Sequence, residues 1–145
     1  MRQAASLVFR TLCLSLVVLV VPSLHAQITV AIHADIHHRF TVGQATLPPG
    51  QYVFRMMQHT DLSVMTVTSG DGNLSDEFLV RQSVDSHVPQ HIELLFNRYG
   101  NNEFLTHVYQ QGEKIGISVV EPSREESRLQ RQGQTPVEHT EEQEQ

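Results

Sequence analysis

Several residue types are scarce in this sequence of 145 residues. It contains no tryptophan and one cysteine, and aromatic residues make up 6% of the chain. A single cysteine cannot form a disulfide within the chain, so a disulfide-stapled scaffold is excluded. Basic residues are also few, since 10 lysines and arginines face 16 acidic residues and leave a formal charge of -6. Nucleic-acid binding depends on clustered cations, so we expect no nucleic-acid partner.

The sequence also lacks the common catalytic motifs. There is no G-x-S-x-G or S-x-x-K nucleophile motif and no phosphate-binding glycine loop. The one thiol, Cys13, lies in an N-terminal segment that we expect to be removed. These absences predict that the protein is not an enzyme, with an enzyme of unrecognised type as an open alternative.

The first 26 residues have the order of a secretory signal peptide. Arg2 and Arg10 form a positive start, residues 11–21 are an uncharged apolar run, and Ala26 offers a small residue for cleavage. The apolar run is shorter than the about 20 residues that cross a bilayer, which argues against a membrane anchor. We therefore expect an exported protein, periplasmic or secreted, whose mature chain begins at Gln27 and has no membrane span. Removal of the two arginines lowers its formal charge from -6 to -8.

Alternation of apolar and polar residues predicts β-structure after this segment. It runs from Ile28 to Val42, with His38 as the one interruption of the apolar face. A period of two over this length predicts a half-buried antiparallel strand with a bend near residues 34–35. Turn residues then separate shorter segments, with turns expected at 47–50, 69–73 and 99–102. Further strands are expected at 51–58, 62–68, 77–83, 91–98, 103–110 and 115–120.

These strands predict an all-β domain over residues 27–120. Seven or eight short strands joined by glycine, asparagine and aspartate turns are typical of a small antiparallel β-barrel or β-sandwich with meander connections. The expected core consists of Ile28, Val30, Ile32, Phe40, Tyr52, Phe54, Val64, Phe78, Val80, Leu94, Phe96, Phe104, Val108 and Ile117.

Residues 121–145 have a different composition, with seven acidic residues and almost no apolar ones. Ser123 and Glu126 have the spacing of a capping box, and Pro122 precedes them, which predicts a short helix over residues 123–131. The remainder cannot bury enough apolar surface to offset the entropy of ordering it. We therefore expect a short C-terminal helix followed by a disordered acidic tail.

Two segments resemble those of a known family. Thr41-Val42-Gly43 followed by Leu47-Pro48-Pro49-Gly50-Gln51-Tyr52 resembles a VG…LPxGxY segment, and Phe96-Asn97-Arg98-Tyr99-Gly100 through Phe104-Leu105 resembles an FxRYG…FL segment. In this order behind a signal peptide, they are similar to a family of small, uncharacterised exported β-rich proteins of soil bacteria. The resemblance implies no catalytic residues, and residues 36–40 depart from the family's Pro-Phe-Asp-Phe-like stretch. Both segments also fit simple turns, with Arg98 expected either to cover an aromatic face or to pair with Glu103 across a hairpin.

Histidine is unusually frequent, and eight of the nine histidines follow residue 26. His33, Asp35 and His37 recur at every second residue, so they share the polar face of one strand, whereas His38 lies on the other face. Imidazole and carboxylate groups bind divalent metals, so these three side chains predict part of a metal site if the strand bends. The alternative is a solvated strand face without metal. A fourth ligand would come from a neighbouring strand, with the candidates His59, His87, His91 and His107.

The sequence therefore favours an exported, non-catalytic β-domain protein that works as a binding or interaction module. Its partner is expected to be an unknown protein or a small apolar ligand, without a cofactor. The alternative is a metal-binding protein that uses His33, Asp35 and His37 to hold a divalent metal ion.

Overall fold

The computed structural model describes residues 31–58 and 63–143. The predicted signal peptide at 1–26 lies outside the described residues, as do Ile28, Val30 and His59. The described ranges form ten β-strands and one α-helix, which we number in chain order: β1 Ala31–Ile36, β2 Phe40–Val42, β3 Ala45–Leu47, β4 Gly50–Gln58, β5 Ser63–Ser69, β6 Ser75–Val84, β7 Ile92–Tyr99, β8 Asn102–Tyr109, β9 Ile115–Val119, α1 Arg124–Arg131 and β10 Val137–Gln143.

The strands form one large mixed sheet that is not closed into a barrel. Eight strands follow the order β1-β4-β5-β6-β9-β8-β2-β3, and β7 lies between β8 and β10. The pair β2–β8 is parallel, whereas the neighbouring pairs β7–β8 and β8–β9 are antiparallel. The prediction of a β-rich fold is confirmed. The described strands outnumber the seven or eight expected, because the predicted first strand is divided and the sequence pattern does not predict β3 or β10.

The long alternating segment divides where its pattern is interrupted. Strand β1 ends at Ile36 and β2 begins at Phe40, so the break lies at residues 37–39 and not at the predicted bend near 34–35. Three consecutive polar residues occupy the break, and His38 stands where the alternation requires an apolar side chain. Residues 37–39 therefore lie outside the strands, and the His38 imidazole is half-buried.

The two motif segments have structural roles in turns. The Tyr52 hydroxyl donates a hydrogen bond to the Pro48 carbonyl (2.6 Å), which ties the proline turn to the start of β4. The predicted hairpin between β7 and β8 is confirmed, with Gly100 at a φ of 62°, where a side chain would be strained. Its expected cross-strand ion pair between Arg98 and Glu103 also forms.

Apolar side chains from both halves of the chain form one main core. The Phe40 ring lies 5.2 Å from the Tyr52 ring and 6.0 Å from the Phe96 ring, each in an edge-to-face arrangement. On β5, Met65 and Val67 are buried, whereas the predicted Val64 is only half-buried, because the alternation of that strand has the opposite phase. The other fully or nearly buried core residues are Ile32, Ala34, Ile36, Val42, Leu47, Phe54, Phe78, Val80, Ile92, Leu94, Leu105 and Val108.

The C-terminal region is more ordered than its composition predicts. Helix α1 begins after Ser123, whose hydroxyl accepts the Glu126 amide hydrogen (3.0 Å), so the predicted helix and its cap are confirmed. The predicted disorder is wrong for Val137–Gln143, which pair antiparallel with β7 over seven residues. Backbone pairing to an open sheet edge replaces the apolar burial that this segment lacks. Within the described ranges, no helix is long and apolar enough to cross a membrane.

Candidate metal centre

The predicted ligands on the first strand do not converge. His33 and Asp35 lie on the exposed face of β1, opposite Val53 and Gln51 of β4. His37 lies beyond the end of the strand, and its Nδ1 is 2.9 Å from Glu141 Oε1. The structure therefore does not assemble the predicted set, because β1 ends at Ile36 and the next residue turns towards β10.

Three of the four histidines predicted to supply a fourth ligand are described, and they lie away from β1. His87 Nδ1 is 3.0 Å from Asp85 Oδ1, and the His107 ring stacks on Tyr109 with 5.8 Å between ring centroids. His91 is exposed in the loop before β7. Each of these side chains thus has its own surroundings, separate from β1.

A different group of ligand side chains does converge, and we call His38, Glu103 and His139 the imidazole–carboxylate cluster. One ligand atom from each residue lies within 4.8 Å of the other two. His38 comes from the break between β1 and β2, Glu103 from β8 and His139 from β10. In the described part of the chain, no other group of three or more histidine, cysteine, aspartate or glutamate side chains brings its ligand atoms this close together.

Strand pairing explains how three distant segments meet. The parallel pairing of β2 with β8 places Phe40 opposite Glu103, so His38, two residues earlier, reaches the start of β8. The β7–β10 register places His139 opposite Phe96. The Phe96 ring then forms an apolar floor, with its centroid 4.8 Å from the His38 ring and 6.0 Å from the His139 ring.

Arg98 provides the positive charge beside the cluster. Its guanidinium pairs with Glu103, whose side chain is 7% exposed. It also lies 2.7 Å from Nδ1 of His139, which is itself 3.2 Å from Glu103 Oε2. A guanidinium can only donate, so Nδ1 of His139 accepts and carries its lone pair towards Arg98. The Nδ1 lone pair and the Glu103 carboxylate therefore both face one cation, and the 3.2 Å contact between them carries no hydrogen.

The His38 imidazole makes no hydrogen bond of this kind. Burial lowers the pKa of its imidazole, although the carboxylates of Glu103 and Glu141 oppose this shift. Its Nε2 is buried without a hydrogen-bond partner, and so is Oε2 of Glu141, which lies 3.7 Å from His38 Nδ1. Unpaired buried polar atoms are costly and rare in folded proteins. Both atoms therefore keep hydrogen-bonding capacity that no protein group uses.

The cluster offers the donor atoms of a transition-metal site. Two imidazoles and one carboxylate form a set that Zn²⁺ and related divalent ions accept. The sequence pattern does not identify Glu103 and His139 as ligands. His139 and Glu141 have the same spacing as His33 and Asp35, but residues 132–145 were expected to be disordered, so no strand face was assigned to them. The Arg98–Glu103 hairpin pair indicates a cation near Glu103 but no metal.

Comparison with known proteins does not assign this chain to a family. No protein-family model, no curated protein and no solved structure matches the chain. The resemblance to a family of exported β-rich proteins therefore stays a prediction.

Proposed function

We propose that this protein is an exported β-rich binding module that takes up one divalent transition-metal ion at the imidazole–carboxylate cluster. The observation that carries the proposal is the convergence of His38, Glu103 and His139 within 4.8 Å, from three separate segments. Export rests on the sequence of residues 1–26.

The cluster must release the Arg98 guanidinium and contract modestly to bind the metal. Zinc lies about 2.0–2.2 Å from nitrogen and oxygen ligands, so tetrahedral ligand atoms stand about 3.3–3.6 Å apart. The present spacing of up to 4.8 Å requires side-chain shifts of about one ångström. Glu141 offers a fourth ligand, because its free Oε2 already lies 3.7 Å from His38 Nδ1.

The sequence-based expectation of a small apolar ligand is less well supported. Phe54, Leu94 and Phe96 are fully buried at the centre of the fold. An apolar ligand would therefore have to bind at the surface. Interaction with a partner protein stays a prediction.

Metal titration of single variants tests the proposal directly. We expect one equivalent of Zn²⁺ to bind the processed chain, purified without a histidine tag, and to be measurable by calorimetry. His38→Ala and His139→Ala each remove one of the ligands, so each should weaken binding by at least about tenfold.

His33→Ala and Asp35→Asn serve as matched controls, because they remove ligand-type groups from the exposed face of β1. Both should bind zinc as the unmodified chain does. Absence of stoichiometric zinc, or equal losses in the control and cluster variants, would overturn the proposal.

A further inference from the structure

A second polar site lies on another face of the molecule, between α1 and the sheet. A cleft of about 230 Å³ opens there beside β8 and β9. Its walls include the apolar side chains of Leu105, Val119 and Pro122 and the buried carboxyl group of Glu126. None of the cluster residues or Arg98 lines it.

Glu126 is the unusual group in this cleft. The residue is 4% exposed, and its Oε1 accepts a hydrogen bond from Asn97 Nδ2 (2.8 Å). A capping-box glutamate normally turns back to the amide of the cap residue. Here Ser123 Oγ accepts the Glu126 amide hydrogen, but the carboxyl group points across to β7 instead. Burial raises the pKa of Glu126, and the Asn97 hydrogen bond opposes the shift.

The other polar groups of the cleft present acceptors. The Thr106 hydroxyl donates to the Leu95 carbonyl (3.0 Å), so the contact with His107 Nδ1 (3.1 Å) requires the imidazole to donate. Nε2 of His107 is therefore an acceptor, and burial lowers the pKa of this imidazole. The Ser118 hydroxyl likewise donates to the Val119 carbonyl (3.3 Å), which leaves its oxygen lone pairs free to accept.

The lining is also negatively charged. It contains the carboxylates of Glu121 and Glu126 and no lysine or arginine. A pocket of acceptors and carboxylates favours a ligand that brings hydrogen-bond donors and a positive charge. The apolar wall favours a compact hydrocarbon body attached to that charge.

We propose that this cleft binds a small primary amine, with its ammonium group paired to Glu126 and its apolar body against Leu105, Val119 and Pro122. An ammonium group has three donors, and the lining of the cleft offers acceptors on Glu126, Ser118 and His107. The Asn97 hydrogen bond holds the carboxylate in place when the cleft is empty, so its position does not depend on the ligand. The inference is independent of the metal site.

Benzylamine and benzyl alcohol are suitable probes, because they have nearly the same shape and differ in charge. Titration of the ¹⁵N-labelled processed chain, followed by amide chemical shifts, measures both affinities. We expect benzylamine to bind at least about tenfold more tightly than benzyl alcohol, the value of one charge-assisted hydrogen bond. The shifted amides should surround Asn97, Thr106 and Glu126.

Glu126→Gln should reduce this preference to less than about twofold, because it removes the counterion and keeps the shape. Glu125→Gln is the matched control, since Glu125 lies next to it on the same helix, is exposed and pairs with Arg128. Equal affinity for both probes, or an unchanged preference in Glu126→Gln, would overturn the proposal.

The pH dependence of the unmodified chain provides a second measurement if the Glu126 variant does not fold. Because its pKa is raised, Glu126 loses its charge at a higher pH than an ordinary glutamate does. The other titratable groups that line the cleft are Glu121 and His107. Benzylamine binding should weaken as the pH falls through this pKa, while benzyl alcohol binding stays constant. A ratio of affinities that does not change with pH rules the site out.

Discussion

The Arg98 side chain places its positive charge at the proposed metal site. Its guanidinium contacts both Glu103 and His139, two members of the imidazole–carboxylate cluster. A divalent ion must displace this charge before it can bind them. Like charges at about 4 Å repel strongly even under partial solvent screening.

Removal of that charge should therefore favour the metal. We expect Arg98→Gln to bind Zn²⁺ at least about tenfold more tightly than the unmodified chain, because a competing cation is lost. The variant should also unfold at a lower temperature without zinc, since buried Glu103 loses its partner.

Arg55→Gln is the control for net charge, because Arg55 is an exposed residue of β4. It should leave zinc affinity unchanged. A weaker zinc affinity in Arg98→Gln would show that Arg98 supports the site and does not compete for it.

His87 makes stability depend on pH in the loop before β7. Hydrogen bonds with Asp85, then with Glu93, raise the pKa of His87 above its ordinary value. A raised histidine pKa contributes stability that is fully present below the unfolded-state pKa and is lost as the pH rises through the folded-state pKa.

The thermal unfolding of His87→Ala tests this sign. The variant should lose stability at a pH below the unfolded-state pKa and differ little from the unmodified chain at a pH above the folded-state pKa, where the imidazole is neutral in both states. His91→Ala is the control for removal of an exposed side chain from the same loop, and it should change the unfolding temperature little. A destabilisation that is the same at both pH values would contradict the ion-pair explanation.

Among the elements, β10 combines full backbone pairing with little apolar burial. Its seven residues pair with β7, but Val137 is exposed and Gln143 is the only buried side chain of the strand. Side chains also connect it to β1, since Gln143 Oε1 accepts the Asp35 amide hydrogen (2.7 Å). An element with few buried apolar contacts opens locally at low free-energy cost.

Hydrogen exchange should show this difference between strands. We expect amides of β10 to exchange at least about tenfold faster than those of β4 and β5, which carry buried Phe54 and Met65. Zinc should slow exchange in β10, because His139 would join the strand to His38 and Glu103. Exchange in β10 that is as slow as in β4, or that zinc does not change, would contradict this account.

The sequence predicted those elements whose signals are local. Alternation indicated the first strands, the glycine and asparagine turns indicated the hairpins, and Ser123 indicated the start of α1. Strand β10 has the sequence VEHTEEQ, which shows no apolar alternation. Strand β10 forms because the edge of β7 is open to pairing. No local pattern within residues 121–145 indicates that such an edge exists.

At the scale of the whole molecule, the sheet order decides which side chains meet. The parallel pair β2–β8 and the antiparallel pair β7–β10 bring His38, Glu103 and His139 together. The alternation of residues 28–42 separates His38 from the exposed face that carries His33, but the partners of His38 are 65 and 101 positions further along the chain. Non-local pairing of this kind leaves no trace in spacing, whereas the Arg98–Glu103 pair was predictable because a hairpin joins them.

The central claim is that the imidazole–carboxylate cluster binds a divalent metal ion. Anomalous scattering at the zinc absorption edge, from crystals of the processed chain grown with one equivalent of Zn²⁺, locates the ion directly. We predict a single strong peak about 2.0–2.1 Å from one ring nitrogen each of His38 and His139, with a Glu103 oxygen at a similar distance. A peak beside His33, Asp35 and His37, or no peak with the Arg98 guanidinium still between Glu103 and His139, would contradict the claim.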